Sequence, residues 1–267
     1  MCRCFLYRFS FVVFMYVFLC TSVLATDGTK RFALVIGNQS YQAAPLKHAL
    51  NDARSIAVAL RDAGFEVTTL IDANGEKLKQ GVTAFYDGLR AHPLAKRLAV
   101  IYYAGHAIQI NHVNYLIPLD INFESQDDFF TQLYNLTDLF THMQQDPALQ
   151  NVVILDACRN NPFEQNTQIL SSRGLAPVDA PPGTLIAFAT EPGGIASDGR
   201  SKNGVYTKHL LRYIGNSLPV EEVFKKVRSG VARETQNRQV PWEHSSLLSE
   251  VYFSAPKNKD MPDIVVF

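Results

Sequence analysis

Apolar residues recur along this chain in two rhythms, and the rhythms alternate. Residues 31–37, RFALVIG, are a short apolar run closed by glycine, which predicts a buried strand. In LKHALNDARSIAVALRDAG the apolar side chains fall at Leu46, Ala49, Leu50, Ala53, Ile56, Ala57 and Leu60. That is helical spacing, with Gly64 as the stop. FEVTTLI, residues 65–71, predicts a second strand, residues 76–89 a second helix, and RLAVIYYAG, residues 97–105, a third strand. IQINHVNYLIPLD alternates polar and apolar positions and predicts a small hairpin. A helix over 133–144 then leads into a fourth strand, NVVILDA. A long Pro/Ser/Gly-containing loop precedes a fifth, GTLIAFAT. Helices are expected over 206–214 and 220–234, a last strand in SSLLSEVYFS, and a loose tail from Pro256.

Strands alternating with helices imply parallel βαβ units in a doubly wound sheet, an α/β fold. Strands buried on both faces suit the nearly unbroken apolar runs. Open sheets of this kind place their sites at the carboxyl ends of strands. Two such ends carry reactive side chains: YYAGHA presents His106, and LDAC presents Cys158.

Composition narrows the function. The chain is 47% hydrophobic and 19% charged, ordinary for a globular protein with one sizeable core or at most two small ones. Acidic and basic residues balance at 25 each, so no nucleic-acid partner is expected. The N-terminus reads as a secretory leader rather than as fold. Arg3 and Arg8 precede the uncharged FSFVVFMYVFLCTSVLA, and Val23 and Ala25 give a small-x-small exit before Thr26. Residues 1–25 are therefore expected to be a signal peptide and the protein exported, to the periplasm or the medium. The alternative is an N-terminal anchor, and a membrane is a partner only if this segment is retained. Cleavage would remove Cys2, Cys4 and Cys20 and leave Cys158 as the sole thiol. It would also remove Arg3 and Arg8 from the 25 basic residues, leaving 23 against 25 acids. Exported proteins use cysteines mostly in pairs, so a single thiol needs a reason, either burial or chemistry.

A cysteine becomes an efficient nucleophile when a base or a positive field favours its thiolate, and histidine is the usual base. His106 and Cys158 each end a strand that could neighbour the other. The backbone N–H groups of Ala107 and Cys158 are available to hold an oxyanion. The bland alternative stays open on residues alone: free cysteine is among the most buried residue types, and a lone histidine is commonly a surface or core residue. The joint pattern favours chemistry, because His48, His92, His112, His142, His209 and His244 show no such placement. His106 and His112 lack any metal-binding spacing, so no metal and no cofactor is expected.

YYAGHA followed 52 positions later by DAC resembles the caspase-like cysteine peptidases (peptidase C14), and among them the bacterial metacaspase-like, or orthocaspase, branch. ALVIGNQSYQ, LKHALNDA, NYLIPLD, DACRNNPF, NGVYTKHLL and VPWEHSSLL fit the same relatives. In this order and at these spacings the motifs are specific. The resemblance spans 31–253 and leaves 254–267 as a tail. It implies a caspase–hemoglobinase fold, an α/β/α sandwich in three layers with a mostly parallel central sheet. It also implies hydrolysis of peptide or protein substrates through a thioester acyl-enzyme. His106 matches the general acid/base and Cys158 the nucleophile. Asp52 and Asp156 match the acids that receive Arg or Lys before the scissile bond, through charge-assisted contacts. Asp52 could equally be a solvated first-turn acid, and Asp156 a brace for the strand-end turn. A non-catalytic caspase-like binding module is the alternative function, and a hydrolase or transferase acting on another acyl group a third.

The chain also departs from the pattern. AGHA stands where SGHG is usual, so Ala104 removes a hydroxyl and Ala107 adds a methyl near the oxyanion position. Asp120, Asp127 and Asp128 do not follow an EF-hand spacing, and no calcium site is expected. SSRG in the loop after the fourth strand offers Arg173 as a self-cleavage point, with an ordinary loop arginine as the alternative.

Overall fold

The computed structural model describes residues 28–92, 96–121, 126–157, 174–194, 196, 199 and 201–256. The expected leader over 1–25, Cys158, Arg173 and the tail beyond 256 lie outside the described residues.

In chain order the elements begin β1 (Lys30–Gly37), α1 (Ala49–Asp62), β2 (Glu66–Ile71), α2 (Gly75–Arg90) and β3 (Arg97–Ala104). A hairpin of β4 (Ala107–Ile110) and β5 (Val113–Leu116) follows, then α3 (Gln126–Gln132), the short β6 (Tyr134–Asn135) and α4 (Leu136–Gln144). The remainder is β7 (Leu149–Asp156), β8 (Thr184–Phe188), α5 (Val205–Leu210), α6 (Val220–Glu234) and β9 (Trp242–Ser245). The main sheet runs β2-β1-β3-β7-β8-β9, parallel except for β9, which is antiparallel to β8. A smaller antiparallel sheet joins β4, β5 and β6.

Helices cover both faces of the main sheet. On one face α1 packs on β1, and α5 and α6 pack together beside it. On the other face α2 packs near α4. Neighbouring side chains on one strand sort between these layers by the pleat. From β3, Tyr102 points to Thr207 of α5, while Tyr103 points to Tyr41 and Ile117 on the opposite side.

Close packing sets α1 tightly against the sheet. A Cβ built on Gly37 would lie 2.6 Å from the Ala53 Cβ and 3.0 Å from the Ala49 carbonyl, so only glycine allows this approach. The helix stops at Gly64, which takes φ 89° and donates back to the Arg61 carbonyl. At the start of α2, Asn74 Oδ1 accepts the Lys77 N–H at 2.9 Å, and Asp120 Oδ1 accepts the Gly75 N–H at 2.9 Å.

Three expectations change. β2 is not buried on both faces, because it is an edge strand with Glu66, Thr68 and Thr69 exposed. The helix expected over 133–144 starts at Leu136, because Asn135 caps it by accepting the Thr137 N–H and Tyr134–Asn135 pairs with β5. The last strand is Trp242–Ser245 rather than 245–254. In the latter stretch Val251 and Phe253 are buried without laddering while Leu248 is exposed: Phe253 meets Phe224 of α6 edge-on at 6.0 Å, and Tyr252 forms an isolated bridge to Pro219.

Candidate active site

The ladder between β3 and β7 ends with Ala104 opposite Asp156, so the carboxyl ends of the two strands lie side by side. His106 stands two residues beyond β3, and Cys158 two residues beyond β7 but outside the described residues.

His106 is buried and held from several directions. Its Nε2 lies 2.8 Å from the Ala44 carbonyl oxygen. A carbonyl only accepts, so the proton sits on Nε2 and Nδ1 is the nitrogen able to take one up. The backbone N–H of His106 donates to the Tyr41 hydroxyl at 3.0 Å, and the Tyr41 ring meets the imidazole edge-on at 4.5 Å. Tyr41 donates in turn to the Ile117 carbonyl at 2.9 Å, and Tyr103 donates to the His106 carbonyl at 2.7 Å. Burial pushes the Tyr41 hydroxyl up to about 12 and that of Tyr103 well above its ordinary value, so both stay neutral. Gly105 fits only as glycine, since a Cβ there would come within 2.5 Å of the Tyr103 hydroxyl and 2.8 Å of that of Tyr41.

The loop that supplies Ala44 and Tyr41 is latched to the end of β2. Asn38 and Ala73 exchange hydrogen bonds, Asn38 Nδ2 to the Ala73 carbonyl at 3.1 Å and the Ala73 N–H to Asn38 Oδ1 at 2.9 Å. Asp72 accepts the Gln39 N–H at 2.8 Å, the Ser40 N–H at 3.2 Å and the Ser40 hydroxyl at 2.6 Å.

Ala107 opens β4. Ile110 pairs with Val113 across a turn in which Asn111 and His112 take φ 51° and 65°, the geometry of a two-residue hairpin. The Ile117 N–H donates to the His106 carbonyl at 2.9 Å. Alternation along the ladder then makes Ala107–Leu116 a non-hydrogen-bonded pair, and the Ala107 N–H faces away from β5. His112 occupies the far end of the hairpin from His106, so these two histidines are not brought together.

Asp52 and Asp156 converge beneath the start of α5. Asp52 is 2% exposed, so it is not a solvated first-turn acid. It accepts Asn203 Nδ2 at 2.8 Å and the Gly204 N–H at 3.1 Å. Asp156 accepts the Thr207 hydroxyl at 2.7 Å, and Thr207 Oγ1 lies 2.6 Å from the Tyr102 hydroxyl. Asp156 thus ties the end of β7 to α5. A Cβ on Gly204 would lie 3.1 Å from one Asp52 oxygen and 3.9 Å from one of Asp156, so both carboxylates border the same small space. Burial, then the negative charges of Asp156 and Asp52, push the Tyr102 hydroxyl well above its ordinary pKa. The segment before α5 is strapped to α1: His48 Nδ1 and Asn51 Nδ2 both bond the Lys202 carbonyl, at 3.0 and 2.9 Å.

Reading the sequence missed Tyr41, Ala44, Asp72, Asn203, Gly204 and Thr207. Tyr41 lies inside ALVIGNQSYQ, and Asn203, Gly204 and Thr207 inside NGVYTKHLL. The segments were therefore marked, but not the roles of these residues.

A protein-family comparison matches residues 30–252 to the model described as Peptidase_C14, caspase domain. No curated protein matches the chain.

Proposed function

Because the chain belongs to the Peptidase C14 caspase-domain family and has its α/β/α caspase–hemoglobinase fold, we propose that it is a cysteine endopeptidase of the metacaspase-like branch, cutting after Arg or Lys. The family is one of cysteine peptidases, and its substrates are proteins. The observation that carries the finer reading is the shared strand-end geometry. His106, proton on Nε2, and Asp156 lie at the carboxyl ends of adjoining strands, Asp52 in the first turn of α1 borders the same space as Asp156, and the chain continues from there to Cys158.

In the proposed reaction His106 Nδ1 takes the thiol proton and the Cys158 sulfur attacks the scissile carbonyl. The carbonyl oxygen becomes an oxyanion held by the N–H groups of Ala107 and Cys158. His106 returns the proton to the leaving amine, the C–N bond breaks, and a thioester remains. Water then attacks the thioester, with His106 as base, and releases the acid and the thiol. The Ala44 carbonyl keeps the imidazole in the tautomer this sequence needs. That the Ala107 N–H is turned away from β5, and so not spent in the hairpin ladder, supports this role. A guanidinium or ammonium group of the substrate enters between the buried Asp52 and the half-buried Asp156, whose carboxylates give a charge-assisted contact. The same preference makes Arg173 the point of self-cleavage, and residues 1–25 direct export.

The test is hydrolysis of fluorogenic peptides ending in Arg, Lys or Asp by reduced protein and by Cys158→Ala. Turnover of the basic peptides alone, abolished in the variant, is expected. No turnover of any peptide would sink the reading.

A further inference from the structure

His106 stands between two recesses of opposite character. One is the acidic space bordered by Asp52, Asp156 and Gly204. The other is a cleft of about 330 Å³ whose walls include Tyr41, Ala43, Ala44, Ile117, Leu119 and Ile121. Its walls are mostly apolar, with the exposed Gln42 as the one amide side chain, and among the described residues no carboxylate or cation lines it. The polar atoms nearest the histidine are already engaged inward: the Ala44 carbonyl on His106 Nε2, the Tyr41 hydroxyl on the His106 N–H and the Ile117 carbonyl. Apart from the Gln42 amide, what the described walls offer a ligand is therefore mainly hydrocarbon.

The pleat of β3 puts the two recesses on opposite sides of His106. Tyr102 reaches the acid pair through Thr207, whereas its neighbour Tyr103 reaches Tyr41 and Ile117, which wall the cleft. In acyl transfer the histidine that took the thiol proton must deliver it to the departing amine. The leaving half of a peptide therefore passes the imidazole. With the basic side chain anchored at the carboxylates, the residue after the scissile bond falls on the far side of His106. Two of the cleft's walls, Tyr41 and Ala44, touch that ring or its Nε2.

We propose that this cleft is the subsite for the side chain immediately following the scissile bond, and that it selects an apolar side chain of leucine, isoleucine or phenylalanine size. The inference rests on the peptidase reading above and adds a second specificity element to it. The protein then recognises a basic–apolar pair rather than a basic residue alone. A charged side chain entering the cleft would lose water, and the described walls hold no opposite charge to replace it.

The experiment uses reduced wild-type protein and internally quenched peptides with Arg before the scissile bond and Leu, Phe, Gly, Asp or Lys after it. An Arg-aminomethylcoumarin substrate runs alongside. Leu and Phe peptides are expected to exceed the Asp peptide in kcat/KM by about tenfold or more, the scale on which apolar pockets discriminate. In Ile121→Asp the Leu-to-Lys ratio should fall by a similar factor. Hydrolysis of the coumarin substrate with equal rates across the peptide series overturns the subsite while leaving the peptidase reading intact. No hydrolysis of any substrate overturns both.

Discussion

The Ser40 hydroxyl donates to the Asp72 carboxylate at 2.6 Å, and through that bond the end of β2 holds the loop that orients His106. Asp72 takes φ 48°, a left-handed conformation that Asn accepts more readily than Ala. Asp72→Ala should lower kcat for Arg-ended peptides by about tenfold or more with little change in KM, because the imidazole loses its fixed orientation. Asp72→Asn should recover most of that loss. Burial works to raise the Asp72 carboxyl, but the bonds from Ser40 and Gln39 win and leave it below its ordinary value. A lowered carboxyl contributes stability above the unfolded pKa of about 4 and loses it as pH falls further. Denaturation of wild type and Asp72→Asn should therefore differ at neutral pH, with the difference shrinking below about pH 4.

Tyr41→Phe keeps the ring against His106 and removes the acceptor of its buried N–H. A loss of about 1–3 kcal/mol in stability is expected, the cost of an unmet buried donor. The hydroxyl is pushed up to about 12 by burial, so its contribution is complete below the unfolded value. That value is about 10, and the contribution declines as pH rises beyond it. Urea titrations at several pH values would show a constant difference through the neutral range.

The acid pair yields a specificity prediction. Replacing Asp156 or Asp52 by Asn should cost about 2–5 kcal/mol toward Arg-ended peptides, seen in kcat/KM. A Gln-ended peptide should be far less affected. Thr207→Val should act in the same direction, since Asp156 loses the donor that aims it. Equal losses on Arg and Gln peptides would mean the carboxylates serve only folding.

Gly37→Ala tests the seat of α1. Its Cβ would crowd the Ala53 Cβ at 2.6 Å, so an overpacking cost of about 1–3 kcal/mol is expected, read as a lower Tm. Because α1 carries Asp52, the Arg preference should weaken in the same variant.

Processing can be read by mass. Incubated wild-type protein should yield a fragment ending at Arg173, absent in Cys158→Ala. Exported protein should begin near Thr26. An unchanged intact mass, or retention of Met1, would refute the corresponding proposal.

The periodic elements were legible because burial imposes period: β1, β3, β7 and β8, with α1, α2 and α6, lie close to where the apolar spacing puts them. β9 was not, because WEHS carries no alternation and is recruited by the edge of β8. α3 was not, because QDDFFTQ is too short to show a face. At the site, strand ends announced His106 by its neighbours. Tyr41, Asp72 and Thr207 gave no such sign. Each acts through a partner far along the chain (Tyr41 on His106, Asp72 on Ser40, Thr207 on Asp156), and such pairings arise only once the sheet sets its register.

The Ala104–Asp156 rung has a genetic consequence. A single codon inserted within β7 would turn the Asp156 carboxylate toward the α2 layer, where Tyr86 meets Asn151, and away from Thr207. The same insertion in the hairpin turn at Asn111–His112 leaves that rung untouched. Length variation in this protein should therefore be tolerated in turns and eliminated from strand interiors, even where the inserted residue is apolar and would pack.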